Sequence, residues 1–138
     1  MKTINNNIDS IIILDDDRFY IEFLRKHLKS IFPQLNFLTF LSPLELGGYI
    51  NKSNCIFLLD YHLGYINDKA YYAHEIINKM NNEKNNQPII LMSSSTREEL
   101  LIEYQNFRNL AYVVKNDHLL EQISNKINDF LTPVMKSA

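Results

Sequence analysis

Four stretches of this chain are apolar without a break over the length of a strand: 11–14 (IIIL), 56–59 (IFLL), 89–92 (IILM) and 111–114 (AYVV). A strand with one face in water alternates apolar and polar residues. A strand buried on both faces has no polar face to show, so it reads as a continuous run. A fifth run, 35–41, is apolar but less uniform. Segments with helical spacing lie between and after these runs. Tyr20, Phe23, Leu24, Leu28 and Ile31 share a predicted face over 18–32, and Ala73, Ile76, Ile77 and Met80 share one over 70–80. Leu101, Tyr104 and Phe107 do so over 98–107, as do Leu120, Ile123, Ile127 and Phe130 in the last segment. Strands alternating with helices predict an α/β fold, a parallel five-stranded sheet with helices on both faces in three layers.

Cap residues punctuate the pattern. Asp17 stands where it would cap the first helix, Ser42 with Pro43 opens a short second one over 43–50, and Thr96 with Glu99 forms a capping box. Asp117 is placed to cap the last helix. The polar stretch NNEKNNQP is read as a loop, and GYINDKAYY as an irregular entry to the third helix. One domain is expected over 1–131, followed by a short tail, 132–138.

Charge and composition narrow the partners. A formal charge of −2 gives no bulk attraction to nucleic acid or to an anionic membrane. No apolar run approaches the roughly 20 residues that span a bilayer, and MKTINNNIDS lacks the basic and apolar regions of a signal peptide. The single cysteine, Cys55, opens an apolar run and is read as a buried, inert thiol in a reducing compartment. A cytoplasmic location is expected.

In parallel sheets ligands bind beyond the carboxyl ends of the strands, so the residue following each run carries the functional signal. The run 11–14 leads into Asp15 and Asp16, 56–59 into Asp60, 89–92 into Ser93 and 111–114 into Lys115. Taken singly, each has a plain structural use as a cap, a turn residue or a solvated strand end. Together they bring three carboxylates, a hydroxyl and an ammonium to one rim. Carboxylates that crowd together either raise a pKa or bind a cation. An oxygen donor set of a few acids, with room for water and phosphate, describes Mg²⁺, or Mn²⁺ in its place, better than an all-protein Ca²⁺ cage. No Cys/His spacing suggests zinc. Lysine and hydroxyl groups suit phosphoryl oxygens, and an aspartate can itself accept a phosphoryl group as an acyl phosphate.

With IIILDDD, CIFLLDYHL, PIILMSS and AYVVKND in that order along almost the whole chain, the sequence resembles a receiver domain of bacterial two-component response regulators, of the stand-alone type. The resemblance implies a flavodoxin-like, doubly wound sheet of strand order 2-1-3-4-5. It implies that Asp60 is the phosphoacceptor, supplied by a histidine kinase or phosphotransfer protein. Asp15, Asp16, Asp60 and the backbone carbonyl of His62 would hold Mg²⁺. Lys115 and Ser93 would meet the phosphoryl oxygens, and Tyr112 would be the aromatic switch. His62 and Ser95 stand at positions that tune hydrolysis in the family. The downstream partner would bind the face made by the fourth helix, fifth strand and fifth helix, with the chain a monomer or weak dimer. Such a chain is an acceptor that assists its own phosphorylation, not an enzyme, and it involves neither nucleic acid nor membrane.

Three positions depart from the family pattern. Ser94 replaces a small alanine and narrows access to Asp60, Asn116 replaces a proline, and Gly64 stands where a proline is usual. Two other readings remain. A pseudo-receiver would bind partners without phosphorylation. A haloacid-dehalogenase-like phosphatase would use Asp15 and Asp17 as its D-x-D pair, but it would leave Asp60 without a role.

Overall fold

The computed structural model describes residues 2–4, 8–82, 87–94, 109–132 and 134–136. Its centre is a five-stranded parallel sheet made of β2 (Ser10–Leu14), β3 (Asn36–Phe40), β4 (Cys55–Asp60), β7 (Ile89–Ser93) and β8 (Leu110–Val114). The spatial order is β3-β2-β4-β7-β8, which is the 2-1-3-4-5 order in terms of the sheet's own strands. The continuous runs form β2, β4 and β7, which are buried at every position. Ile11 pairs with Phe37 on one side and Ile56 on the other, and Leu91 lies between Leu59 and Tyr112.

Successive strand residues point to opposite faces, so the sheet builds two cores. Ile11, Ile13, Ile56, Leu58, Ile90 and Met92 pack against α1 (Arg18–Ile31) and α4 (Leu119–Leu131). Ile12, Leu14, Phe57, Leu59 and Leu91 pack on the other side. There they meet α2 (Pro43–Leu46), the 3₁₀ turn Gly47–Asn51 and α3 (Ala73–Asn82). The buried face of α3 is Ala73, Ile76, Ile77 and Met80, as the spacing predicts. The predicted helix over 98–107, with its Thr96–Glu99 box, lies outside the described residues.

Four expectations need correction. The run 111–114 is not buried on both faces: it forms β8, at the edge of the described sheet, and only Val113 in it is buried. The core face of α1 is Ile21, Leu24 and Leu28, whereas Phe23 and Ile31 are 44% and 49% exposed. Both stripes have helical spacing, and the sheet selects the one that seats α1 against Ile11 and Ile13. The second helix ends at Leu46, because Gly47 takes a positive φ of 49° and the chain continues as a 3₁₀ turn. Asp117 does not cap the last helix. His118 occupies that position, and Asn116 Oδ1 accepts from the His118 amide at 2.9 Å.

Between β4 and α3 the chain forms an antiparallel hairpin, β5 (His62–Ile66) and β6 (Lys69–Tyr72). Its central turn residues, Asn67 and Asp68, have φ of 52° and 64°. Positive φ at both is the geometry of a type I′ turn, which matches the twist of the flanking strands. The register shifts between His62 and Tyr65, where Gly64 takes φ +77°. A second small antiparallel pair joins β1 (Lys2–Ile4) to β9 (Val134–Lys136), within the segment read as a tail.

Candidate functional site: an acid–lysine cluster at the sheet's carboxyl rim

The parallel ladder carries four polar residues to one rim. Asp15 follows β2, Asp60 ends β4, Ser93 ends β7 and Lys115 follows β8. Backbone bonds continue past the strand ends and fix these positions. The Lys115 amide donates to the Ser93 carbonyl at 2.7 Å, the Tyr61 amide to Met92 at 2.8 Å and the Asp15 amide to Phe40 at 3.2 Å. Asp15, Asp60 and Ser93 therefore stand on the most buried strands of the sheet, a rigid support for a site, and Lys115 reaches them from the end of the partly buried β8.

One carboxylate oxygen each from Asp15, Asp16 and Asp60 lies within 4.8 Å of the others. Asp15 and Asp60 are buried, while Asp16 is exposed. Lys115 Nζ lies 2.9 Å from Asp60 Oδ1 and 3.3 Å from Asp15 Oδ2. Asp15 Oδ1 also accepts from the Asp17 amide at 3.0 Å. Among the described residues, three acids meet one ammonium, an excess of two negative charges when all are ionised.

That excess shows in the ionisation of the group. Burial first, and then the charge of Asp60, push Asp15 up to about 6, against the pull of the Asp17 amide and Lys115. Burial likewise raises Asp60; the hydrogen bond and charge of Lys115 oppose this and Asp16 adds to it. Burial alone would lower Lys115, but the hydrogen bond to Asp60 and the charges of Asp60 and Asp15 outweigh it and raise it. Asp15 and Asp60 thus hold a proton more readily than isolated carboxylates do, and a cation among them would offset the same repulsion. The donor set fits Mg²⁺: hard oxygens, few of them, on a rim open to water.

Asp17 stands apart from this set. Its Oδ1 accepts from the amides of Phe19 and Tyr20 at 3.0 and 3.3 Å, so it caps α1. The D-x-D reading needs Asp17 in the site, and its carboxylate is spent on the helix end. Ser93 is buried on the rim, and Ser94 beside it is exposed. Tyr112 is half-buried on β8, packed on the α3 side of the sheet. His62 begins the hairpin with an exposed side chain whose ring lies 5.1 Å from Tyr61 and 5.0 Å from Tyr72. Ser95 lies outside the described residues. Cys55 is buried far from the rim, at the start of β4, and burial pushes its thiol up to about 11, so it is not a nucleophile.

Two neighbours of the site escaped the sequence reading. The Tyr20 ring lies 4.3 Å from Lys115 Nζ, a cation–π contact that helps hold the ammonium over the acids. Its signal was its position one helical turn past Asp16 and Asp17. Gly64 comes against Asp16, where a Cβ would sit 3.1 Å from Oδ2. Nothing in the local sequence marked that approach, because it depends on how the hairpin folds back.

No protein-family model matches the sequence, and a search of curated proteins finds no match either. Solved structures do match. One is the signal receiver domain of a DNA-binding response regulator from Colwellia psychrerythraea 34H, at 17% identity and TM-score 0.69, covering 88% of this chain and 98% of that one. A Francisella response regulator receiver domain matches at 16% identity and TM-score 0.72, covering 89% and 96%. A response regulator receiver domain protein from Methanospirillum hungatei JF-1 matches at 20% identity and TM-score 0.66, covering 89% and 96%. The chain shares the fold of these receiver domains over most of its length.

Proposed function

We propose that the chain is a phosphoacceptor signalling protein of a two-component phosphorelay, with Asp60 taking a phosphoryl group from a partner's phosphohistidine. The observation that carries this reading is the acid–lysine cluster itself: three carboxylates within 4.8 Å, with Lys115 Nζ 2.9 Å from Asp60. Asp15, Asp16, Asp60 and the backbone carbonyl of His62 would hold Mg²⁺, or Mn²⁺ in its place. When bound, the ion supplies positive charge against the carboxylates and the phosphoryl oxygens.

The protein groups account for the rest. An Asp60 carboxylate oxygen attacks phosphorus in line, forming the P–O bond while the N–P bond of the donor breaks. The bonding pair leaves on the imidazole nitrogen. Lys115, already on Asp60, is placed to pair with the incoming phosphoryl oxygens, and the Ser93 hydroxyl to hydrogen-bond one of them. Asp15 and Asp16 lie beside them as the other carboxylates that would hold the ion. Tyr112 would link the loaded site to the face expected from the predicted helix over 98–107 together with β8 and α4, where a downstream protein binds. The output is a population shift between two surface states. His62 and Ser95 border the acyl phosphate and set its lifetime. The chain is a cytoplasmic acceptor rather than an enzyme with a separate substrate. Among the described residues no helix is long and apolar enough to cross a membrane.

The test is incubation with a small phosphodonor and Mg²⁺, read by intact mass. Wild type gains one phosphoryl group and Asp60→Asn gains none. An unchanged wild-type mass, under conditions that label a known receiver, contradicts the reading.

A further inference from the structure

Each acid of the cluster is held differently. Asp15 is fixed by the Asp17 amide and by Lys115, and Asp60 by Lys115. Asp16 is exposed, and among the described residues its carboxylate has no hydrogen bond or ion pair. What it does have is the hairpin backbone. A Cβ built on Gly64 would lie 3.1 Å from Asp16 Oδ2, 3.6 Å from its Cβ and 3.7 Å from its Cγ. The first of these is tighter than ordinary van der Waals contact. Gly64 therefore lets the backbone of β5 lie flat against the Asp16 side chain, and this packing limits the directions in which the carboxylate can point.

The hairpin is built to make that approach. Its type I′ turn at Asn67 and Asp68 folds β6 back on β5, and the register irregularity between His62 and Tyr65 centres on Gly64 at φ +77°. An L residue meets a steric cost at that φ and finds Asp16 in its way. From this we infer that Gly64 is a positioning residue for the cation: the β5–β6 hairpin holds Asp16 in its ligating direction through backbone contact at Gly64. The inference rests on the cation site proposed above and adds that the hairpin, not a hydrogen bond, orders its exposed ligand. By linkage, a cation on Asp16 must in turn steady the hairpin.

The test uses Mn²⁺, whose free hexaaqua signal in electron paramagnetic resonance falls as the ion binds. Gly64→Ala is expected to weaken Mn²⁺ binding about tenfold, the effect of losing a partner that orients a ligand. Asn67→Ala, which strains the same hairpin at its tip, is expected to leave the affinity unchanged. Equal binding by wild type and Gly64→Ala overturns the inference while leaving the cation site standing. Equal weakening by both variants overturns it too, since general hairpin integrity then suffices. If wild type binds no Mn²⁺, the cation site itself fails, and this inference with it. Amide exchange in the unaltered protein gives a second check that needs no variant. Residues 62–72 are expected to exchange more slowly in saturating Mg²⁺, and unchanged exchange there contradicts the coupling.

Discussion

At the amino ends of the sheet strands, the buried Gln87 donates its side-chain amide to the carbonyls of Ile50 and Lys52, at 3.0 and 3.1 Å. At the start of β2 the Ser10 hydroxyl donates to Asp9 at 2.7 Å. At the carboxyl ends, buried Asp15 and Asp60 share Lys115, and Asp16 crowds them with no hydrogen bond or ion pair of its own among the described residues. Both ends bury polar side chains. One end meets its buried amide with neutral backbone carbonyls, the other gathers charges that do not balance. Pairing with backbone stabilises the fold, although among the described residues Gln87 Oε1 is buried without a hydrogen bond. A charge excess is tolerated only where something else completes it, and the receiver-type reading supplies that something as a cation and a phosphoryl group.

The contrast can be broken most severely at Lys115. Lys115→Met strands two buried acids, and the metal-free protein is expected to lose about 3 kcal/mol at neutral pH. Urea denaturation measures it, and loss of less than a third of that would mean the acids are already neutral or hydrated. The opposite change is the sharper one. Asp15 is raised from 3.8 to about 6, so the folded state takes up a proton that the unfolded state has released over that window. Metal-free stability from this group is thus present at low pH and lost as pH rises through about 6. Asp15→Asn is expected to stabilise the metal-free protein by about 2 kcal/mol at neutral pH, with no advantage near pH 4. Saturating Mg²⁺ should reverse the order. A variant less stable than wild type in chelator at neutral pH would show that the cluster is already balanced.

At the other end, Gln87→Leu leaves two carbonyls without their donor and should cost about 1.5 kcal/mol. The loss should not depend on Mg²⁺, and a magnesium-dependent loss would join the two ends that the comparison separates. The smallest effect is expected at Asp17. Asp17→Ala removes a helix cap worth about 1 kcal/mol and should leave phosphorylation intact. Abolished labelling would return Asp17 to the site and revive the D-x-D reading.

How far these features could be read beforehand follows from what each depends on. The continuous runs at 11–14, 56–59 and 89–92 were legible because burial on both faces removes every polar residue from a strand. The rim residues were legible because they directly follow those runs. The face of α1 was not, since Phe23 and Ile31 sit at helical spacing as good as that of Ile21, and only the sheet decides between them. The hairpin was missed because its strands are largely exposed and carry no alternation, although Asn67–Asp68 between Ile66 and Lys69 is a turn signal in its own right. Asp117 caps nothing because the last helix begins a residue later than Asp117 would need; Asn116 instead closes a turn onto the His118 amide, and among the described residues no side chain caps the helix. Tyr20 was marked only by its place one helical turn past Asp16 and Asp17, and Gly64 reaches the site through tertiary folding that no local pattern announces.

The central claim is that the unbalanced carboxyl rim is a cation-requiring phosphoacceptor. The most direct measurement is mapping of the modified residue after transfer from a phosphohistidine-bearing donor, in chelator and across a Mg²⁺ titration. The account predicts a single hydroxylamine-labile phosphoryl group on Asp60 that appears only as Mg²⁺ is added. Labelling that is independent of Mg²⁺, or that maps to any other residue, would contradict it.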